Sequence, residues 1–263
     1  MIKISIITAT LNSIKYLPDL LDSIHQQSYT NYEHIIIDGG STDGTLEYLR
    51  ASKQVNHIIS EPDDGLYDAL NKGVKISCGE VIGFLHSDDV FASCYTLQHI
   101  RDAFATNRRT LGLEKKIDVV YGDLVYTDPL DTNKVLRSWI SRPFKSALLS
   151  RGWMPAHPTL FMHRDVYMEH GLFDDKLKIA ADYDMIIRVF KDHSINSLYI
   201  PKVITKMRKG GMSNNGITNL INKSWEDYQI IKNNRIPFPL WVLFLKNVSK
   251  IPQIILRNRF KSS

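Results

Sequence analysis

Several sequence features are scarce in this chain of 263 residues, and each scarcity excludes a class of protein. Only two cysteines are present, Cys78 and Cys94, so neither a disulfide framework nor a cysteine-rich metal site is expected, and a reducing compartment is favoured. No apolar run approaches the roughly 20 residues that a membrane-spanning helix requires. The N-terminus continues directly into a strand pattern without the features of a signal peptide, so we expect a cytoplasmic location.

Glycine-rich phosphate loops are also missing. No Gly-x-Gly-x-x-Gly opens the first predicted helix, and the sequence contains no Walker lysine motif. If the protein binds phosphate groups, metal ions and side chains rather than the amides of a glycine-rich loop must hold them.

The charge is distributed unevenly between the C-terminal end and the rest of the chain. The formal net charge is +5, but residues 235–263 contain six basic and no acidic residues, which leaves 27 basic and 28 acidic residues elsewhere. A nearly neutral main domain argues against a nucleic-acid-binding protein. The segment 237–260 places apolar residues among lysines and arginines at near-helical spacing, interrupted by Pro252. Such a segment suits the surface of an anionic membrane or a helix packed on the main domain, and both interpretations stay open.

Predicted strands and helices alternate through the first half of the chain. Apolar patterns predict strands at 2–8, 33–38, 58–61 and 81–85, and helices at 14–26, 45–50, 66–77 and 96–106. This alternation predicts an α/β fold, with a mostly parallel Rossmann-like sheet and helices on both faces. In the second half we expect a strand at 118–123, a loop at 142–154, a candidate strand at 156–161 and a helix from about residue 182.

The most informative stretch is Val81 to Asp89, where a buried strand pattern ends in Ser87-Asp88-Asp89. Two adjacent carboxylates repel each other, so a divalent cation that carries phosphate oxygens is their natural partner. A helix cap followed by a solvated turn is the alternative. Polar residues also end the neighbouring predicted strands, and the carboxyl ends of parallel strands are where ligands bind in such sheets. These residues are Thr8, Thr10, Asp38 and Glu61.

Five segments, taken together and in this order, resemble the inverting family 2 glycosyltransferases, which have a GT-A fold and use nucleotide-sugar donors. They lie at 5–10 (Ser-Ile-Ile-Thr-Ala-Thr), 37–45 (Ile-Asp-Gly-Gly-Ser-Thr-Asp-Gly-Thr), 60–73 (Ser-Glu-Pro-Asp-Asp-Gly-Leu-Tyr-Asp-Ala-Leu-Asn-Lys-Gly), 87–89 (Ser-Asp-Asp) and 181–184 (Ala-Asp-Tyr-Asp). The chain is most similar in character to bacterial polysaccharide-assembly transferases, as in lipopolysaccharide or capsule synthesis. The resemblance implies a catalytic domain over 1–215, divided into a nucleotide-binding half (1–105) and an acceptor half (106–215). A helical, basic segment follows at 216–263.

The resemblance also implies a reaction and a set of donor contacts. A sugar would pass from a nucleotide-sugar, with a UDP-sugar as the favoured donor, to a hydroxyl of a glycan or lipid-linked glycan. Lys209 and Arg208 would close over the diphosphate as a mobile loop, or form a solvated basic turn. The residues expected to contact the donor are Thr8, Thr10, Asp38, Glu61, Asp64, Asn71, Asp88 and Arg208.

Three further residues are expected to carry the chemistry. Asp89 would bind Mg²⁺ or Mn²⁺, with His157 either as a further metal or diphosphate contact or as a structural donor. Asp182 would be the general base that accepts the proton of the acceptor hydroxyl, and Asp184 is the second choice. Ser87 and Ala181 stand where the family often has an acid, so the sequence departs from the family pattern at both motifs.

Two other functions remain open at this level. A non-catalytic subunit that binds nucleotide-sugars would share the fold, although the retained Asp89 and Asp182 argue against it. A sugar-nucleotide pyrophosphorylase would need a glycine-rich, basic loop near the N-terminus, and residues 8–13 contain neither a glycine nor a basic residue.

Overall fold

The computed structural model of the protein describes residues 1–106, 116–210 and 217–249. Within these residues, nine strands belong to one sheet. The strands are β1 (Ile4–Thr10), β2 (Tyr32–Asp38), β3 (His57–Ser60), β4 (Val81–Phe84), β5 (Asp89–Phe91), β6 (Val119–Thr127), β7 (Val135–Trp139), β8 (Phe161–His163) and β9 (Ser197–Arg208). The α-helices are α1 (Leu17–His25), α2 (Thr45–Ala51), α3 (Leu66–Ile76), α4 (Thr96–Ala105), α5 (Arg164–His170), α6 (Ala181–Lys191), α7 (Ile217–Asn233) and α8 (Pro239–Val248). Short 3-10 helices occupy Ser146–Arg151 and His157–Thr159.

The described strands follow the order β3-β2-β1-β4-β8-β6-β9-β5, with β7 paired to β6 outside this path. Strands β3, β2, β1 and β4 are parallel neighbours, and β1 places Ile7 opposite both Ile35 and Phe84. Strand β8 is antiparallel to both β4 and β6, and β9 is parallel to β6. Six of the nine strands therefore run in one direction, and their carboxyl ends form one edge of the sheet.

Helices cover both faces of this sheet, as its two apolar surfaces require. Helices α1, α2 and α4 pack on the face that contains Ile6 and Ile36, whereas α3, α5 and α6 pack on the face that contains Ile7 and Ile35. Glycine is needed at position 83 of β4, because an added Cβ there would overlap the Phe161 ring of the adjacent strand. The predicted α/β class with a mostly parallel sheet is confirmed.

Two predicted segments differ from the structure. The candidate strand at 156–161 is wrong: residues 157–159 form a 3-10 turn, and β8 begins only at Phe161. Pro158 favours this outcome, since proline has no N–H to donate to a strand partner. The loop expected to contain Arg208 and Lys209 is wrong at Arg208, because this residue ends β9 and pairs with Thr127 of β6.

Helices α7 and α8, together called the C-terminal hairpin, pack on α6. A small apolar cluster fills the contact; its members are Ala180, Tyr183, Ile187, Ile230, Ile231, Ile236 and Val242. Lys246 of α8 is buried, with Nζ 2.7 Å from Oδ1 of the equally buried Asp227 in α7. Up to residue 249, the C-terminal segment is therefore packed on the main domain, as one of the two interpretations expected. Residues 250–263 of the predicted basic segment lie outside the described residues. Among the helices that the structure describes, none is long and apolar enough to cross a bilayer.

Candidate active site

The paired acids Asp88 and Asp89 lie at the edge of the sheet where most strands end. Residues 85–88 connect β4 to β5, and the Asp89 N–H donates to the His86 carbonyl at 3.0 Å. Asp89 is the first residue of β5 and lies opposite Met207 of β9. Asp88 is partly exposed, whereas Asp89 is completely buried. The two carboxyl groups thus share a location but differ in their access to solvent.

The carboxyl group of Asp89 is buried and lacks hydrogen-bond donors among the residues that the structure describes. Neither of its oxygens has a hydrogen-bond partner within the described part of the chain. Burial raises the pKa of Asp89 well above its ordinary value, the neighbouring Asp88 raises it further, and Arg208 opposes both effects. Because an unpaired buried carboxylate is unfavourable, a bound cation would satisfy oxygens that the protein leaves unpartnered.

A cation at Asp89 would need ligands from outside the protein. Across residues 1–106, 116–210 and 217–249, no group of three or more His, Cys, Asp or Glu side chains is arranged to hold a metal ion. Mg²⁺ commonly binds through one or two carboxylates together with substrate phosphates, and Mn²⁺ also prefers oxygen ligands. The residues present therefore fit a cation that Asp89 shares with a bound diphosphate.

Arg208 places a positive charge beside the two acids. It is the last residue of β9 and is buried, so the expected mobile loop does not include it. Nη1 donates to the Asp88 carbonyl at 2.8 Å, Nη2 forms an ion pair with Asp19, and the guanidinium lies 5.1 Å from the centroid of the Tyr16 ring. Burial raises the pKa of Asp88 above its ordinary value, and the positive charge of Arg208 opposes this effect. Arg208 is therefore a sheet residue that limits the repulsion between Asp88 and Asp89.

Asp182 is the second residue of α6 and lines a small cavity together with His157, Phe84, Met162 and Tyr167. Its Oδ1 is 3.3 Å from the hydroxyl of Tyr67, which also donates to the Ile179 carbonyl at 2.8 Å. The Asp182 side chain is 21% exposed, in contrast to the completely buried Asp89. Asp182 is therefore held in place and is still accessible to a bound molecule.

His157 lies between Asp182 and His86. Its Nδ1 is 3.6 Å from Asp182 Oδ2, and its Nε2 is 3.2 Å from His86 Nε2. Burial lowers the pKa of both histidines, to about 3 for His86, so both rings are neutral at pH 7. The favourable tautomers have His86 donating to His157 and the Nδ1–H of His157 directed toward Asp182. Both ring nitrogens of His157 face protein groups in this structure, and its metal or diphosphate contact stays a prediction.

The phenol of Tyr126 in β6 is influenced by the charges of both Asp89 and Asp182. This residue lies opposite Met207, which lies opposite Asp89, so Tyr126 and Asp89 belong to the same face of the sheet. Burial raises the pKa of the Tyr126 phenol, Arg137 opposes this effect, and the charges of Asp89 and Asp182 each raise it further. The charges of both acids therefore act on one phenol.

Comparison with known proteins identifies the family. Residues 5–166 match the model of glycosyl transferase family 2, which is more than half of the chain. The chain belongs to this family. A PGL/p-HBAD biosynthesis glycosyltransferase of Mycobacterium bovis (strain BCG / Pasteur 1173P2) is 30% identical over 222 residues, covering 80% of this chain and 78% of the relative. The protein is therefore a glycosyltransferase.

Solved structures of glycosyltransferases show the same fold at low sequence identity. S. aureus TarS matches with a TM-score of 0.67 and 18% identity, covering 98% of this chain and 46% of TarS. The 1–349 portion of TarS in complex with UDP-GlcNAc matches with a TM-score of 0.63 and 18% identity, over 96% and 78% of the two chains. The mannosyltransferase PcManGT from Pyrobaculum calidifontis, in complex with GDP-Man and Mn²⁺, gives 0.62 and 16%, over 96% and 72%. The predicted GT-A fold is confirmed.

The two threonines of the family's first strand have different environments in this glycosyltransferase. Thr8 is completely buried, and its hydroxyl donates to the Leu85 carbonyl at 2.7 Å and lies 3.0 Å from His34 Nε2. The hydroxyl of Thr8 is thus used inside the sheet, and its donor contact stays a prediction. Thr10 ends β1, and its buried hydroxyl has no partner among the described residues, so its contact with the nucleoside stays a prediction.

Asp38 ends β2 and organises the turn that follows it. Its carboxylate accepts hydrogen bonds from the hydroxyl and the N–H of Ser41, the latter at 3.1 Å, and from the hydroxyl of Ser60 at 2.7 Å. The side chain is completely buried. The base contact expected for Asp38 stays a prediction.

The segment from Glu61 to Asn71 contributes one structural residue and two exposed acids. Asn71 is buried, and its amide donates to the Phe173 carbonyl at 2.9 Å and accepts from the Phe173 N–H at 3.0 Å. Both functions of the amide thus join α3 to the segment before α6, and the donor contact of Asn71 stays a prediction. Glu61 is exposed and pairs with Lys72 at 2.8 Å, and Asp64 is also exposed. The donor contacts of these two acids stay predictions.

Sequence reasoning missed His86, Tyr126 and Glu226. His86 directly precedes Ser87-Asp88-Asp89, and that adjacency was the one available signal. Tyr126 reaches the site through the pairing of three strands, and Glu226 of α7 accepts hydrogen bonds from the segment that precedes α6. No local pattern predicts either placement, since both depend on contacts between distant parts of the chain.

Proposed function

We propose that the protein is an inverting glycosyltransferase that uses a nucleotide-sugar donor, a divalent cation and Asp182 as general base. A UDP-sugar is the favoured donor, and the acceptor is a hydroxyl of a glycan or lipid-linked glycan. The complexes of TarS with UDP-GlcNAc and of PcManGT with GDP-Man and Mn²⁺ support this type of donor and the use of Mg²⁺ or Mn²⁺.

The observation that carries the proposal is the difference in burial and hydrogen bonding between the carboxyl groups of Asp89 and Asp182. Asp89 is completely buried, and its oxygens have no partner within the described residues, so it suits a cation. Asp182 is accessible and lies beside Tyr67 and His157, so it suits proton transfer to a bound substrate. Inverting transfer needs these two functions, one at the leaving group and one at the acceptor.

The roles of the side chains follow from this division. A cation bound at Asp89 would neutralise the charge that develops on the leaving nucleoside diphosphate. Asp182 accepts the proton of the acceptor hydroxyl as that oxygen attacks the anomeric carbon from the side opposite the diphosphate. Tyr67 and His157 orient the two Asp182 oxygens, and Asp88 contacts the ribose or the donor sugar. The reaction requires no nucleophilic side chain.

The test is donor hydrolysis across a panel of UDP-, GDP- and dTDP-sugars, with Mn²⁺ or Mg²⁺ against a chelator. Asp182→Asn should lower the rate by about 10²- to 10⁴-fold, the range of general-base catalysis, while metal-dependent nucleotide binding persists. Asp89→Asn should abolish that metal-dependent binding. Asp184→Asn is the control, because Asp184 pairs with Arg188 at 2.7 Å and should not take part in proton transfer. Hydrolysis that resists the chelator, or that Asp184→Asn impairs as strongly as Asp182→Asn, would contradict the proposal.

We further propose that α8 docks on an anionic membrane surface, with the cytoplasmic face of the inner membrane as the location. The usual arrangement of an amphipathic helix is reversed in α8: Trp241 and Phe244 are 58% and 54% exposed, whereas Lys246 is 3% exposed. Besides the buried Lys246, residues 235–263 contain five basic residues and no acidic residue, a composition that complements anionic lipids. Docking of this kind would bring a lipid-linked acceptor to the site.

Vesicle sedimentation tests the membrane proposal. The protein should bind vesicles of phosphatidylcholine with phosphatidylglycerol better than pure phosphatidylcholine, and high salt should weaken the binding. The double variant Trp241→Ser/Phe244→Ser should lose binding, while Leu130→Ser should keep it. Leu130 is the matched control, since it is 80% exposed but lies in the turn between β6 and β7. Equal binding by both variants would overturn the assignment of this face.

A further inference from the structure

Helix α6 begins without a capping side chain of its own. The residue before it is Ala180, and no side chain near it in the sequence caps the first turn. The first N–H groups of a helix have no partner inside the helix, so an uncapped start is mobile unless another group supplies acceptors. Asp182 belongs to this first turn, and its position therefore depends on what holds the start of the helix.

Glu226 of α7, from a distant part of the chain, accepts hydrogen bonds from the N-cap residue Ala180 and from the two residues before it. Its Oε1 accepts the Lys178 N–H at 2.9 Å, and its Oε2 accepts the N–H groups of Ile179 and Ala180 at 3.0 and 2.9 Å. Three consecutive backbone amides thus converge on one carboxylate. Hydrogen bonds to a charged group are about twice as strong as neutral ones, and a negative charge at a helix N-terminus is favourable.

The same segment is held from its other side by the phenol that orients Asp182. The Tyr67 hydroxyl donates to the Ile179 carbonyl at 2.8 Å and lies 3.3 Å from Asp182 Oδ1. Residue 179 is therefore fixed at its N–H by Glu226 and at its carbonyl by Tyr67. Any shift of this residue would move both Tyr67 and the start of α6, and with them both sides of the Asp182 carboxylate.

We propose that Glu226 is a positioning residue for glycosyl transfer, which acts by holding residues 178–180 and thereby the carboxylate of Asp182. The inference rests on the proposed role of Asp182 as general base. It makes α7 a part of the active site, although the sequence places α7 outside the catalytic domain. Positioning errors of about 1 Å lower rates by up to about 10²-fold, so the effect on turnover should be measurable.

The experiment compares Glu226→Gln and Glu226→Asp with Ile230→Ala. Ile230 is a buried residue of the same helix, and its truncation weakens the packing of α7 without removing the carboxylate. We expect Glu226→Gln to lower the kcat of donor hydrolysis by about 10- to 100-fold, with the KM for the donor and Mn²⁺-dependent UDP binding within about 2-fold of wild type. Glu226→Asp should recover part of the rate, and Ile230→Ala should lower the melting temperature with little change in kcat.

Hydrogen exchange gives a second measurement that does not depend on turnover. The amides of residues 178–180 should exchange faster in Glu226→Gln than in Ile230→Ala. A kcat for Glu226→Gln no lower than that of Ile230→Ala, or unchanged exchange at 178–180, would overturn the inference. A failure of the proposed function is distinguishable, because in that case Asp182→Asn itself would keep its activity.

Discussion

Replacing Lys246 with methionine would leave the Asp227 carboxylate buried without its counter-charge. In the protein, Lys246 Nζ is 2.7 Å from Asp227 Oδ1, and the two side chains are 4% and 3% exposed. The ammonium also lies 3.2 Å from the centroid of the Tyr183 ring. Methionine approximates the apolar stem of lysine, so the substitution removes the charge while it keeps most of the packing against Gly152.

The expected loss is large because the pair is almost completely desolvated. Removing one partner of a buried ion pair costs about 3–5 kcal/mol, and a desolvated cation–π contact contributes about 2 kcal/mol. Asp227→Leu should be similarly damaging, since it leaves a buried ammonium without a carboxylate. The double variant Lys246→Met/Asp227→Leu leaves neither charge, and such replacements are often neutral. We therefore expect the double variant to be more stable than either single variant.

Urea unfolding of all four proteins measures this coupling. Far-UV circular dichroism follows the unfolding of the whole chain. Lys232→Met, at an exposed position of α7, is the control and should change the free energy of unfolding by less than about 0.5 kcal/mol. If the two single costs add within about 0.5 kcal/mol, the pair is not coupled, and the reasoning from burial is refuted.

Three further predictions concern the sheet. Asp89→Asn should stabilise the metal-free protein increasingly as pH rises above about 4. The pKa of Asp89 is raised in the folded protein, so above this pH the wild type must keep a proton that the unfolded chain has lost, and its stability falls. Urea unfolding between about pH 4 and 8 measures the difference. Burial lowers the pKa of His34 to about 3, so the protein should lose stability as pH falls from about 6.5 to 3, where the unfolded chain binds a proton that the folded protein does not. In the same assay, the free energy of unfolding of His34→Leu should fall less over this pH range. Gly83→Ala should cost about 1–3 kcal/mol through overlap with the Phe161 ring, measured by thermal unfolding.

The features that sequence predicts well are those that depend on local pattern. The apolar run 81–85, with the acids that follow it, specifies β4 and the location of Asp88 and Asp89 at the carboxyl edge of the sheet. The first turn of a predicted helix likewise specifies the place of Asp182. In both cases a short stretch contains the element and the functional side chain together, so the site could be located without knowledge of tertiary contacts.

The features that the sequence does not predict depend on partners far away in the chain. Asn71 is polar and lies beside the expected donor segment, and its amide pairs with the backbone of Phe173, 102 residues later. Arg208 belongs to a strand because it pairs with Thr127 of β6, while β5 pairs with residues 205–207 just before it. Strand β5 has only three residues, which are too few to show a strand period, so neither β5 nor the pairing that extends β9 to Arg208 could be predicted from the sequence.

Contacts of the C-terminal hairpin cross the predicted domain boundary near residue 215. Adjacent residues on a helix point about 100° apart, and α7 uses two adjacent carboxylates in different directions. Glu226 accepts hydrogen bonds from the segment that leads into α6, and Asp227 pairs with Lys246 of α8. Helix α8 in turn carries the exposed aromatic face of Trp241 and Phe244. The position of the proposed general base and the surface proposed for membrane docking are therefore linked through α7.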